Sequence, residues 1–282
     1  MRQHPMFRGI WLATNFIVIL SLFLVAYSAV WEYSTRRYLE GFVDAVVPNN
    51  VPPVGEVEAI LNWMQSAPAL DPWRGSAPYL KRDPENTLNN PSLLRVCGSA
   101  TNAFINLANA SGLRVRRLLL LNERRQTNHV VAEVYLEGRW VVVDPVFRAV
   151  LRGSDNHMLT RDELKDPNTL AYATRNFVKY LPDYNYSRTA QVRLGAIPLL
   201  GKTIRKVLNA IVPDWEDSPL WTLILERDSF SALLLSGVLL ILSVLVRRAL
   251  RWYGASRLGV QTTRLREHLR RAYHGWIGQP FS

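Results

Sequence analysis

Three residues of this chain stand in an order that could support nucleophilic chemistry: Cys97 in R-V-C-G-S-A-T-N, His129 in N-H-V-V-A-E-V, and Asp144 in R-W-V-V-V-D-P. A thiol attacks a carbonyl carbon when a neighbouring base takes its proton, and the base works best when a carboxylate fixes its orientation. Cys97 is the one cysteine among 282 residues, so no internal disulfide can form. An isolated cysteine is otherwise a small buried hydrophobe. The case for chemistry therefore rests on the elements around it.

After Cys97, the apolar residues Ala100, Ala103, Phe104, Leu107 and Ala108 fall on one helical stripe, and Gly112 stands where a left-handed C-terminal cap is expected. The cysteine opens this helix, on the packed side. Free amides and the partial positive charge at a helix N-terminus favour a thiolate, and the same amides can receive an oxyanion. Leu113 to Leu121 reads as a strand and Asn122 to Asn128 as a charged loop; His129 to Leu136 and Trp140 to Asp144 read as a hairpin turning at Glu137-Gly138. That turn pairs Leu136 with Arg139, Tyr135 with Trp140 and Val131 with Asp144. His129 and Asp144 then share one face as diagonal neighbours, about 7–8 Å apart at the backbone and within side-chain reach.

Together these segments resemble the transglutaminase-like superfamily, whose core carries a cysteine at a helix start, then G-[IL]-x-[AV]-R, H-x-x-x-E-V and G-x-W-x-x-x-D-P. Here these are Cys97, Gly112–Arg116, His129–Val134 and Gly138–Pro145. The resemblance covers about residues 93–147. It implies an α+β, papain-like core in which a cysteine helix packs on an antiparallel sheet. It further implies that Cys97 forms a thioester, His129 carries the proton and Asp144 fixes the imidazole. Relatives include crosslinkers, amidases and peptidases, so the acceptor, amine or water, stays open. Val130-Val131 replaces an aromatic common in the family after the histidine, a departure that falls on the cleft lining. Some relatives use an upstream tryptophan or glutamine at the oxyanion; Trp63 and Trp73 precede the nucleophile, and packing is the simpler account of each.

Other residue types add no second centre. His157 lies in the turn sequence G-S-D-N-H, and Glu133 shares the His129 face, where an ion pair with Arg114 or Arg116 is expected rather than catalysis. No Cys/His cluster has zinc spacing, no acidic loop has calcium spacing and no glycine loop suggests a nucleotide, so neither metal nor cofactor is expected.

Charge organises the rest of the chain. Gly9–Trp31 and Ser229–Val246 carry no charged residue, and they separate a short basic N-terminus, a middle piece with 24 basic and 22 acidic residues, and a tail with 8 basic and 1 acidic. A nearly balanced middle piece argues against nucleic-acid binding, which needs a concentrated basic face. Residues 10–30 are long enough to cross a hydrocarbon core, and longer than the apolar stretch of a cleaved leader, so a retained anchor is expected. Asn15 within it is expected to face another helix. Residues 229–246 form a second span at the short end of the range, followed by Arg247, Arg248, Arg251 and Arg257. Such a cluster stays on the cytoplasmic side and is attracted to anionic lipid headgroups.

The expected organisation is therefore a cytoplasmic N-terminus (1–9), a membrane helix (10–30), a stalk and lead-in helices (31–92), the core (93–190), a membrane-proximal helical segment (191–228), a second membrane helix (229–246) and a basic cytoplasmic tail (247–282). Within this plan a stalk helix runs over Tyr33–Val47, a short amphipathic helix covers Val54–Gln65, and the proline-rich stretch Ala67–Pro91 forms a loop. Arg161–Tyr186 packs back on the core, where its aromatic run Tyr180–Tyr186 could line a substrate groove or cap the domain, and capping is the expectation. The expected function is a membrane-anchored thiol enzyme acting outside the cytoplasm on amide or ester carbonyls of protein, peptide or envelope material. Its expected partners are membrane lipids and a membrane-protein partner, with no nucleic acid. A silent module that binds or scaffolds envelope components is the alternative from a different class.

Overall fold

The computed structural model describes residues 4–66, 83–90, 92–178, 180–192, 201–211, 215 and 219–259. The chain divides into two compact units, Val30–Ser231 and Met1–Ala29 with Ala232–Ser282.

The larger unit holds the mixed core. After the long helix α1 (Pro5–Val46), α2 (Pro53–Ser66) covers the expected amphipathic segment and buries Val57, Ile60, Leu61 and Met64. Most of the proline-rich stretch expected as a loop lies outside the described residues, and its described part, 83–90, holds a short helix that periodicity could not reveal, α3 (Pro84–Leu88). The Asp83 side chain caps it by accepting from the Glu85 amide, and Pro84 starts it, so turn chemistry there nucleates a helix. Trp73 lies outside the described residues. Trp63 packs edge-on against Phe42, with ring centroids 4.7 Å apart.

Helix α4 (Cys97–Ala110) begins at the cysteine and ends through Gly112, whose φ of +92° supplies the expected left-handed cap. A five-stranded antiparallel sheet follows, in the order β4-β3-β2-β1-β5. Its strands are β1 (Val115–Leu121), β2 (Thr127–Leu136), β3 (Arg139–Asp144), β4 (Ala149–Val150) and β5 (Thr189–Ala190). The β2–β3 turn has φ of +49° at Glu137 and +82° at Gly138, the two left-handed positions a tight hairpin needs. Leu136 pairs with Arg139 and Tyr135 with Trp140, as the turn residues dictate.

Alternation along the strands creates two faces. Ala132, Val134, Val141 and Val143 pack with α2 and α4 in one apolar cluster, while Leu118, Leu120, Val131 and Val142 form a second with Leu151, Leu159, Leu164 and Tyr186. The second face is covered by the segment between β4 and β5, which includes α5 (Pro167–Thr174) and the fully buried Tyr186. Helices α6 (Gly201–Ile211), α7 (Pro219–Glu226) and α8 (Asp228–Arg257) complete the described elements. Glu133 pairs with Arg116 at 2.8 Å, both buried, in the ion pair expected from its position.

In the smaller unit, the stretches of α1 and α8 each carry buried hydroxyl-bearing residues spaced by seven, and the hydroxyls of Thr14, Ser21, Ser236 and Ser243 donate to carbonyls of their own helix. Thr14, Ser21 and Ser28 on α1 are buried, as are Ser236 and Ser243 on α8. Asn15 faces the other helix, as expected, and accepts a hydrogen bond from Arg247 Nε at 2.7 Å. Phe16, Phe23, Leu235, Ile241 and Leu245 point outward. Among the described residues, Pro5–Val46 and Asp228–Arg257 are the two helices long and apolar enough to cross a membrane.

Candidate active site

The hairpin brings His129 and Asp144 together, with His129 Nε2 2.7 Å from Asp144 Oδ2 and both side chains buried. Asp144 Oδ1 accepts from the Val146 amide at 3.2 Å, so the carboxylate is itself held by the turn that follows β3. One irregularity sits beside the histidine. Leu120 pairs with His129 but Leu121 pairs with Thr127, which leaves Asn128 as an extra, unpaired residue. Such a bulge increases local twist and re-aims the neighbouring side chain.

Helix α4 lies against the sheet face opposite to that of His129, so the thiol reaches the imidazole past Val130. Thr101 donates its hydroxyl to the Val130 carbonyl at 2.9 Å. Cys97, one helical turn earlier on the same side of α4, sits against the Val130 amide and the His129 ring. His129 Nδ1 is buried and makes no hydrogen bond of standard geometry, although the thiol is near enough to perturb it. Loose contacts of this kind are common before substrate tightens a site.

Charge follows from this placement. Burial pushes the Cys97 thiol up, but the adjacent His129 side chain with its charge and the amides of Val130 and Gly98 together outweigh it, leaving the thiol below its ordinary value. Burial pulls His129 down, and this is outweighed by the Asp144 hydrogen bond and charge and by Cys97, so the imidazole is pushed up to about 9. Thiolate and imidazolium therefore favour each other near neutral pH. The helix N-terminus is left open for such a charge, because its cap position is Val96, which offers no side-chain acceptor.

An aromatic enclosure surrounds the imidazole. Tyr184 stacks on it with centroids 4.3 Å apart and planes 8° from parallel, while Phe147 and Tyr180 meet it edge-on at 6.1 and 6.3 Å. Burial and nearby negative charge raise Tyr180 above its ordinary value, and burial with the charge of Cys97 and Asp144 does the same for Tyr184. The aromatic run Tyr180–Tyr186 is visible in sequence, where it reads as a cap with groove lining as the alternative. Tyr186 does cap the second core cluster, but nothing local indicates that Tyr184 turns onto His129. His157, by contrast, is bound to Asp155 and to Glu163 (3.2 Å) at a surface turn, away from the other three residues. Among the described residues, no group of three or more His, Cys, Asp or Glu side chains could hold a metal ion.

The cysteine at the start of a helix and the histidine and aspartate on neighbouring antiparallel strands thus belong to a domain of mixed helices and antiparallel sheet. The particular family agrees: residues 40–145 match the family model described as the transglutaminase-like superfamily, and the chain carries a transglutaminase-like domain flanked by two long apolar helices. That match begins within α1 and ends just after Asp144. Searches among curated proteins and among solved structures returned no match.

Proposed function

We propose that this protein is a membrane-anchored thiol enzyme that performs acyl transfer or hydrolysis on amide or ester carbonyls through a Cys97 thioester. The observation that carries the reading is the buried 2.7 Å pairing of His129 with Asp144 beside a thiol of lowered pKa. In the first half-reaction the Cys97 thiolate adds to the carbonyl carbon, and the carbonyl oxygen takes the negative charge next to the open amides of α4. The tetrahedral adduct collapses as the imidazolium gives its proton to the leaving amine or alcohol, so the carbon–nitrogen or carbon–oxygen bond breaks and a thioester remains. In the second half-reaction neutral His129 takes a proton from water or an acceptor amine as it attacks the thioester. Loss of the thiolate restores the ion pair. Asp144 holds the imidazole in the tautomer and orientation both steps need.

Two long apolar helices support an anchored enzyme, and the arginines from Arg247 to Arg257 suit the cytoplasmic side, beside anionic lipid headgroups. The transglutaminase-like domain then lies outside the cytoplasm and both termini inside, with protein, peptide or envelope substrates presented near the bilayer and room for a membrane-protein partner.

The test is the rate of Cys97 alkylation by iodoacetamide against pH, in wild type and His129→Ala, paired with mass-spectrometric trapping of an acyl-enzyme from activated esters. Reactivity high near pH 6 and lost in the variant, with an acyl adduct on Cys97, is expected. A thiol titrating near its ordinary pKa of about 8.5 in both proteins, with no adduct, would favour a binding module instead.

A further inference from the structure

Arg148 occupies a backbone position that disfavours it. Its φ is +52°, in the left-handed region where a β-carbon crowds the neighbouring carbonyl, in a turn where its amide donates to Pro145 O at 3.4 Å. The side chain is half-buried. Burial and the charge of Arg95 hold its pKa below the usual value, with the charge of Asp144 opposing them.

What the guanidinium does in that position is specific. Nε donates to Met64 O at 3.4 Å, Nη2 to Leu94 O at 3.3 Å, and Nη1 to Val146 O. The three carbonyls belong to three separate pieces of chain: the C-terminal end of α2, the lead-in three residues before Cys97, and the turn two residues after Asp144. That turn also gives Asp144 the Val146 amide, so one peptide segment is tied to the carboxylate through its nitrogen and to Arg148 through its oxygen. A planar fork with donors in fixed directions can join three carbonyls; a lysine ammonium, a point charge on a flexible stem, cannot hold the same geometry.

We infer that Arg148 is a positioning residue that locks the Cys97 lead-in and the Asp144 turn to one another, so that His129 is gripped between thiol and carboxylate. This rests on the thiol-enzyme reading above. Arg148 hydrogen-bonds backbone carbonyls and none of the three side chains, so it acts through the segments that carry them. Separation of those segments loosens the Cys97–His129 contact first, because Nδ1 has no closed hydrogen bond to lose whereas the 2.7 Å bond to Asp144 resists.

The experiment compares full-length wild type, Arg148→Lys and Arg148→Ala in detergent. It measures the pH dependence of Cys97 alkylation, thermal unfolding, and the effect of added guanidinium on each protein. The expected result is a folded variant whose thiolate reactivity sets in about one pH unit higher than in wild type, a displacement well within the range over which neighbours tune thiols. Guanidinium at low, non-denaturing concentration should restore the profile of Arg148→Ala and leave Arg148→Lys displaced. A purely structural arginine lowers the melting temperature and leaves the profile in place, so a folded variant with the wild-type profile overturns the inference. If Arg148→Ala does not fold, Arg148→Lys alone decides by the same criterion. A wild-type thiol that titrates at its ordinary value defeats the thiol-enzyme reading as well, whereas a low wild-type value with unchanged variants defeats this inference alone.

Discussion

Cys97 and His129 stabilise each other's charged forms, and the sign of each shift sets a pH window. As pH rises through the lowered thiol pKa the ion pair forms; as it rises further, through about 9, the imidazolium loses the proton a leaving group needs. On the proposed function, kcat/KM for an activated ester or amide should therefore be bell-shaped, with its alkaline limb near pH 9. Asp144 is the largest influence raising His129. Asp144→Asn should shift the alkaline limb to lower pH and cut kcat/KM by about 10²–10⁴-fold, as removal of an orienting carboxylate does elsewhere. A pH–rate profile in which that limb stays put would show that another group holds the imidazolium. Tyr184 belongs to the same scale, since a ring stacked at 4.3 Å keeps water from one face of the imidazole.

Helix α4 is the element that makes the thiol unusual. Its stripe of Ala100, Ala103, Phe104 and Leu107 buries against α2 and the sheet, while Cys97 and Thr101 bracket the Val130 peptide. Its N-cap residue, Val96, is 40% exposed and extended (φ −93°, ψ 124°), a conformation in which Asp or Ser would normally cap the helix. Leaving that position apolar gives up about 0.5–2 kcal/mol of helix stability and keeps the first amides free for negative charge. Val96→Asp should therefore raise the melting temperature and at the same time move the onset of Cys97 alkylation to higher pH, since the new carboxylate competes for the amides and repels the thiolate. A stabilised variant with unchanged thiol reactivity would show that those amides do not serve the sulfur.

Across the larger unit, residues far apart in sequence close a buried polar cluster on the other end of α4. Arg227 Nη1 meets Glu32 Oε1 at 3.0 Å, Arg227 Nε donates to Asn106 at 2.9 Å, Ser229 donates to Glu32 at 2.7 Å, and Asn102 donates to the Glu226 carbonyl at 2.6 Å. Glu32 lies on α1 and Arg227 immediately precedes α8, so the chain enters and leaves this unit at one place. Removing one partner of such a buried pair strands a charge, so Arg227 and Glu32 depend on one another. That convergence suits two crossings with the domain between them. Under the proposed topology, reporters fused at residue 1 and at residue 282 should both be active only in the cytoplasm, and a reporter inserted in the Asn122–Gln126 turn only outside it. Activity of the C-terminal fusion on the far side would overturn the arrangement.

Much of this was legible in the residues because its causes are local. Helical periodicity after Cys97, a left-handed Gly112, and a Glu137-Gly138 turn that leaves a single register suffice to place Cys97 at a helix start and His129 diagonal to Asp144. Two uncharged stretches suffice to mark the apolar helices. What the sequence left undetermined are contacts made across long chain separations: the bulge at Asn128, Tyr184 folded onto the imidazole, and Glu32 joined to Arg227. Arg148 belongs with them, because its three carbonyl partners include segments 54 and 84 residues away. Periodicity and turn chemistry report only on near neighbours, whereas these partners are selected by which surfaces remain to be buried once sheet and helices have packed. The identity and order of Cys97, His129 and Asp144 are therefore written in the chain, and their mutual reach was decided by the tertiary fold.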